Sequence, residues 1–130
     1  MKYVYPAVFA KEEIGYSINF PDLEGCFTCG DTLEDGIMMA EDVLAFTLYA
    51  YERDSKEIPV ASNHTQLEIQ ANEFINYIAC DTIEYRRKHN TKAVKKTLSI
   101  PEWLNEAATK AGINCSAVLQ EALKKELGYI

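Results

Sequence analysis

The sequence predicts an α+β chain in two unequal parts, an N-terminal domain ordered βββαβ and a C-terminal βαα arm that only a second copy of itself can complete. Three observations carry this. The first thirty residues fall into short β-rich runs separated by turn residues, a long apolar pattern of helical period follows them, and the last forty residues hold one strand and two short helices, too little to enclose a core. At 48% hydrophobic and 25% charged residues, the 130-residue chain has an ordinary globular composition.

Residues 2–10, 15–20 and 26–30 are rich in Tyr, Val, Ile and Phe and read as three strands. Lys11 to Gly15 supplies a hairpin connection, and Pro21-Asp22-Leu23-Glu24-Gly25 a compact loop with two carboxylates around one exposed apolar residue. A helix starts at Asp31-Thr32, with Asp35 three residues after Thr32 as capping partner, and Leu33, Ile37, Ala40, Leu44, Leu48 and Tyr51 form its buried stripe. Glu34, Glu41 and Asp42 fall on the opposite, solvated side. After a polar connection, residues 74–80 read as a fourth strand, and Asp81 caps a short helix over 82–88. The domain expected over 1–88 is followed by a linker at 89–92 and the arm at 93–130.

In the arm, Ala93 to Pro101 alternates as a strand, with Val94, Leu98 and Ile100 on one face and Ala93, Lys95, Thr97 and Ser99 on the other. Pro101 ends the strand and opens a first helix with the stripe Leu104, Ala107, Ala108 and Ala111. Gly112 ends that helix, and Asn114 caps a second with the stripe Val118, Leu119, Ala122, Leu123 and Leu127. Such a piece predicts a homodimer at least, with a tetramer as a further assembly through the other domain.

Charge divides along the same line. Residues 1–81 carry four Lys/Arg against fifteen Asp/Glu, and residues 82–130 carry nine against five, so a net charge of −7 hides balances of −11 and +4. An acidic domain suits a basic protein, whereas a basic arm suits nucleic acid. From Arg86 to Lys96 there are six basic residues and no acid, and Lys92 and Lys96 add phosphate attraction beside the strand. No apolar run approaches membrane-spanning length and the N-terminus lacks a signal-peptide core, so a cytoplasmic chain with no membrane partner is expected.

Cys26, Cys29, Cys80 and Cys115 are scattered, and no second Cys or His pair completes a zinc site with Cys26 and Cys29. On a strand, a separation of three sends those two side chains to opposite faces, and the four thiols are read as small buried hydrophobes. No metal and no cofactor are expected. Nor is an enzyme: residues 1–10 hold no carboxylate for a two-metal nuclease, His64 and His89 sit in polar connections, and no phosphate-binding Gly-rich loop or nucleophile elbow occurs, so there is no catalytic residue to name.

Over residues 93–127 the alternating strand ending in Pro101, the Gly112-x-Asn114-x-Ser116 joint and the Val118-Leu119-x-Glu121-Ala122-Leu123 run resemble the ribbon-helix-helix family of DNA-binding proteins. That resemblance implies that Lys95, Thr97 and Ser99 read base edges from an antiparallel two-stranded ribbon in the major groove, while Asn114, Cys115 and Ser116 at a helix start anchor the DNA backbone. A plain dimerisation arm is the bland alternative.

Phe20-Pro21-Asp22-Leu23-Glu24-Gly25-Cys26, followed by Gly30-Asp31-Thr32-Leu33, resembles the HicB antitoxin family over residues 3–51. Glu24 stands where the family usually has Pro, and Gly36 stands at a helical site where Ala is commoner. The resemblance implies a partial ribonuclease-H-like N-terminal domain that covers the active site of a HicA-type toxin, a small basic protein that cleaves messenger RNA. It further implies an antitoxin that represses its own operon by binding operator DNA. The loop Asp22, Leu23 and Glu24 is the expected toxin contact, with an ordinary exposed turn as the alternative. The rival function is a freestanding ribbon-helix-helix regulator whose N-terminal domain senses a ligand.

Overall fold

The structure, a computed structural model, describes residues 1–129. It divides into two compact units, Met1–Lys92 and Ala93 onward. The first unit holds a four-stranded antiparallel sheet of order β3-β2-β1-β4, built from β1 (Lys2–Lys11), β2 (Tyr16–Asn19), β3 (Phe27–Gly30) and β4 (Glu73–Asp81). Helix α1 (Leu33–Arg53) packs on the sheet, and α2 (Thr82–His89) packs on α1. A single 3-10 turn, His64–Gln66, interrupts the connection from α1 to β4.

Alternation along β1 places Tyr5, Ala7 and Phe9 under α1, where they meet Ile18, Phe20, Ile78, Ala40, Leu44 and Leu48 in one buried core. Thr32 caps α1 as its sequence demands, accepting a hydrogen bond from the Asp35 N–H at 3.1 Å. The expected stripe is displaced at the first turn. Leu33 is partly exposed, and Gly36, not a larger residue, is buried.

Close approach explains this glycine. A Cβ on Gly30 would lie 2.4 Å from the Gly36 nitrogen and 2.5 Å from its Cα, and a Cβ on Gly36 would lie 3.0 Å from Ile18 Cδ1. Two residues without side chains let the start of α1 sit directly on β3. The cost of glycine inside a helix, about 1 kcal/mol against alanine, is offset by that contact.

The second unit holds α3 (Glu102–Lys110) and α4 (Cys115–Leu127). Pro101 precedes α3, and Gly112 at φ +67° turns the chain between the helices. Asn114 accepts from the Ala117 N–H at 3.1 Å and starts α4. The strand expected over Ala93 to Ile100 is not present, because a β ladder needs a hydrogen-bonded neighbour and this segment has none in the single chain.

Candidate functional site

The first unit has one loop that the sequence singles out, and the structure gives its residues different tasks. Leu23 is buried at 2% exposure in the core, so the expectation of an exposed apolar tip is wrong; the turn folds back, with the Leu23 N–H donating to the Phe20 carbonyl at 3.1 Å. Asp22 accepts from the Ser62 N–H at 2.8 Å and from the Ser62 hydroxyl, which ties the long α1–β4 connection to this loop. Of these three side chains only Glu24 projects freely into solvent.

Two clefts lie elsewhere on this unit. The first, about 360 Å³, sits on the sheet face away from α1 and is lined by Val8, Ala10, Asn19, Phe27, Glu68 and Glu73 among others. Its floor exists because β1 is apolar on both faces: Val4, Pro6, Val8 and Ala10 alternate with the core residues. Phe27 is 68% exposed there.

The second cleft, about 330 Å³, lies between α1 and α2 above the end of β4. From α1 come Met38, Glu41, Asp42 and Ala45; from β4, Ala79, Cys80 and Asp81; from α2, Glu84, Tyr85, Lys88 and His89. The helical spacing of each set is what places it on one wall. Tyr85 is held against Tyr49 with ring centroids 5.4 Å apart and stacks on His89 at 4.1 Å. Burial first, and then the Asp42 carboxylate, pushes the Tyr85 pKa up. Burial, followed by the carboxylates of Asp81 and Glu52, pushes the Cys80 thiol up to about 12. Beneath the helix pair, Glu52 accepts from Tyr3 at 2.7 Å and Thr82 at 3.1 Å and meets Arg86 at 3.4 Å.

The residues expected to bind DNA are all exposed. Lys92, Lys95, Lys96, Thr97 and Ser99 lie within residues 90–100, which have no regular secondary structure, and Lys92 closes the first unit while the others belong to the second. Asn114, Cys115 and Ser116 come together at the start of α4, where first-turn N–H groups point outward from the helix. No residue of α3 or α4 is buried: Leu104 is 41% exposed, Val118 57%, Leu123 47% and Leu127 61%.

Of the four thiols only Cys26 is fully buried, beneath α1 with the Thr47 hydroxyl donating to it at 3.4 Å; Cys29 and Cys115 are exposed, contrary to the expectation that all are buried. Cys26 and Cys29 do face apart. Among the described residues no group of three or more His, Cys, Asp or Glu side chains is placed to hold a metal ion. His64 meets the Tyr77 hydroxyl at 3.1 Å and His89 the Tyr85 carbonyl at 3.0 Å, neither of them a carboxylate partner. No described helix is long and apolar enough to cross a membrane.

The two clefts escaped the sequence reading, although both left signals. Val4, Pro6, Val8 and Ala10 make β1 a continuous apolar run, the mark of a strand with two faces to cover. Met38, Met39 and Phe46 fall off the α1 stripe onto its acidic side.

Known proteins share this architecture. Antitoxin HicB 2 of Photorhabdus laumondii is 30% identical over 93 residues, covering 70% of this chain and 67% of that protein. A chain in a toxin-antitoxin complex from Streptococcus pneumoniae superposes with a TM-score of 0.64 at 25% identity, covering 97% of this chain and 99% of that one. The crystal structure of antitoxin HicB3 gives 0.51 at 26% identity, over 95% and 97%. The family described as HicB-like antitoxin of bacterial toxin-antitoxin system matches residues 5–122. Spanning nearly the whole sequence, that match shows that the chain belongs to the HicB-like antitoxins of bacterial toxin-antitoxin systems and serves as an antitoxin, not as an enzyme.

Proposed function

We propose that this antitoxin acts at two levels. Its N-terminal domain, residues 1–88 and ribonuclease-H-like in type, binds a HicA-type toxin and covers the site with which that toxin cleaves messenger RNA. Residues 93–130, beyond a linker that begins only after His89 closes α2 and not at 89 as the sequence predicts, pair as a homodimeric ribbon-helix-helix domain that binds operator DNA and represses the operon. Tetramers form by further contact through the N-terminal domains.

The observation that supports this reading best is the unsatisfied apolar face of the second unit. Helices α3 and α4 expose Leu104, Val118, Leu123 and Leu127, and the preceding segment exposes Val94 at 85%, Leu98 at 54% and Ile100 at 49%. So much uncovered apolar surface on two short helices calls for a partner. A second copy would cover it and give residues 93–100 the strand neighbour they lack, turning Lys95, Thr97 and Ser99 outward on a ribbon that fits a major groove. Asn114, Cys115 and Ser116 would then grip phosphates, with Lys92 and Lys96 beside them.

The charge of the first unit supports the toxin half. A nuclease that grips RNA must present cations, and fifteen carboxylates among the first 81 residues complement them. Of the loop residues, Glu24 is the one free to touch the toxin; Asp22 and Leu23 shape the loop.

A mobility-shift titration on the DNA upstream of the gene tests the regulatory half. Lys95→Ala and Thr97→Ala should each weaken specific binding by about 10- to 100-fold, the equivalent of ~1–3 kcal/mol. Unchanged affinity in both variants would remove the ribbon from the DNA interface.

A further inference from the structure

We infer that the groove between α1 and α2 is the surface on which the toxin docks, an inference that rests on the proposed toxin-binding role of the first unit. Three features converge there. The first is an excess of negative charge: Glu41, Asp42, Asp81 and Glu84 line the groove against a single Lys88, with His89 at its end. Of these acids, Asp81 is partly engaged, meeting the Met1 amine at 3.5 Å and capping α2 through the Ile83 N–H at 3.0 Å. The groove's Lys88 is outnumbered; of the neighbouring cations, the Met1 amine is engaged by Asp81, and Arg86 is turned to Glu52 and the Tyr49 ring.

The second feature is apolar anchorage. Met38, 67% exposed, lines the groove, and Phe46, 56% exposed, meets the groove residue Tyr85 with ring centroids 6.4 Å apart, on a helix that carries five acids and no Lys or Arg between Leu33 and Glu52. Methionine and aromatic side chains are enriched where protein partners meet, and here they stand exposed among carboxylates. The third is the free edge of β4, the outermost strand of the sheet, whose last residues Ala79 to Asp81 line the groove and leave main-chain donors and acceptors open there.

These features specify the occupant. It is a basic protein surface whose Lys or Arg side chains flank an apolar residue, so that the apolar group seats against Met38 and Tyr85 while the cations meet Glu41, Asp42 and Glu84. An RNA-cleaving toxin carries such cations of necessity, since the same charges must hold its substrate. Occupying them with carboxylates blocks RNA by charge as well as by bulk.

The experiment measures binding of a catalytically dead form of the chain's own toxin to the full-length antitoxin by biolayer interferometry at physiological salt. Wild type should bind tightly. Glu41→Lys/Asp42→Lys should weaken binding about 100-fold, because it sets like charges against each other, and Met38→Ala about tenfold. Glu84→Lys, on the other wall, gives an independent reading of the same groove and should also weaken binding. Glu13→Lys, in the β1–β2 hairpin, should leave it within about twofold. Thermal unfolding of each variant separates lost contact from lost fold. Failure of wild type to bind would remove the toxin-binding role itself. If wild type binds and the Glu41→Lys/Asp42→Lys and Glu84→Lys variants, folded, bind within about threefold of it, the groove is not the docking surface, the more so if Phe27→Lys is what weakens the complex. A change in oligomer mass without a change in toxin affinity would assign the groove to a second copy of this chain and overturn the inference.

Discussion

The two units of this chain solve the problem of burial in opposite ways. Met1–Lys92 closes a core of its own, with Ala7, Phe9, Phe20, Ala40, Leu44 and Leu48 wholly shielded from water, whereas α3 and α4 contain no buried residue. The first is therefore a folded body in its own right, and the second leaves its apolar residues open to solvent. The difference teaches that stability and assembly are separate properties here: substitutions in the first unit should change how well the chain folds, and substitutions in the second should change how many chains fold together.

The comparison is broken most severely by putting charge into the exposed apolar stripe of α4. Leu123→Asp should abolish the dimer at micromolar concentration, since the large-to-small change alone costs ~2–5 kcal/mol in a closed core and the charge adds desolvation. Sedimentation equilibrium reads this directly, and a dimer of undiminished mass would show that the stripe is not the interface. Heat-induced unfolding of the first unit should be unchanged in the same variant.

Phe9→Ala is the converse experiment. Phe9 is fully buried and its ring lies 5.3 Å from that of Phe74, so its loss should destabilise the first unit by ~3–5 kcal/mol in urea titration. The dimer should persist wherever the first unit remains folded.

Smaller and sharper is the pair of glycines at the foot of α1. Gly30→Ala forces a Cβ against the Gly36 backbone and should destabilise by about 2 kcal/mol or more, while Gly36→Ala presses on the tip of Ile18, touches Phe9 at ordinary van der Waals distance and regains helix propensity, so its net effect should fall within about 1 kcal/mol. Equal losses at the two positions would mean that backbone proximity is not what selects them.

The smallest effect is on the alkaline side. Burial, and then the hydrogen bond to Glu52, raises the Tyr3 pKa to about 12, and burial does most to raise Cys80 to about 12 from an ordinary value of 9.0. Both groups stay protonated in the folded state after the unfolded chain has lost the proton. Their stabilisation is thus complete below pH 9, declines above the ordinary thiol and phenol values, and is gone above about 12. Tyr3→Phe and Cys80→Ala should each flatten the fall in the first unit's stability between pH 9 and 12; curves parallel to wild type would remove these groups as its cause.

Much of this was legible in the chain. Thr32, Asp81 and Asn114 cap helices as their types require, and the Tyr, Val and Phe runs become strands, because these signals act through neighbouring backbone. Loop 21–25 reads as an exposed tip because polarity surrounds Leu23 in sequence, whereas the tertiary fold tucks that side chain inward. The α1–α2 groove could not be read at all from periodicity, since its walls come from positions 38–45 and 79–89 and meet only after β4 has crossed back beside β1. The segment 93–100 is a strand in pattern and not in the single chain, for the reason that a ladder is a property of two segments.

One joint has mechanical meaning. Asp81 is the final residue of β4 and at the same time the cap of α2, so strand and helix meet with no spare backbone between them. A crank of that kind stores no slack: a twist imposed on α2 is handed straight to the bonds that fasten β4 to β1, from Lys2–Asp81 to Ala10–Glu73. Past Asn90 the chain runs without helix or ladder as far as α3, so nothing of the kind passes the twist further along the backbone.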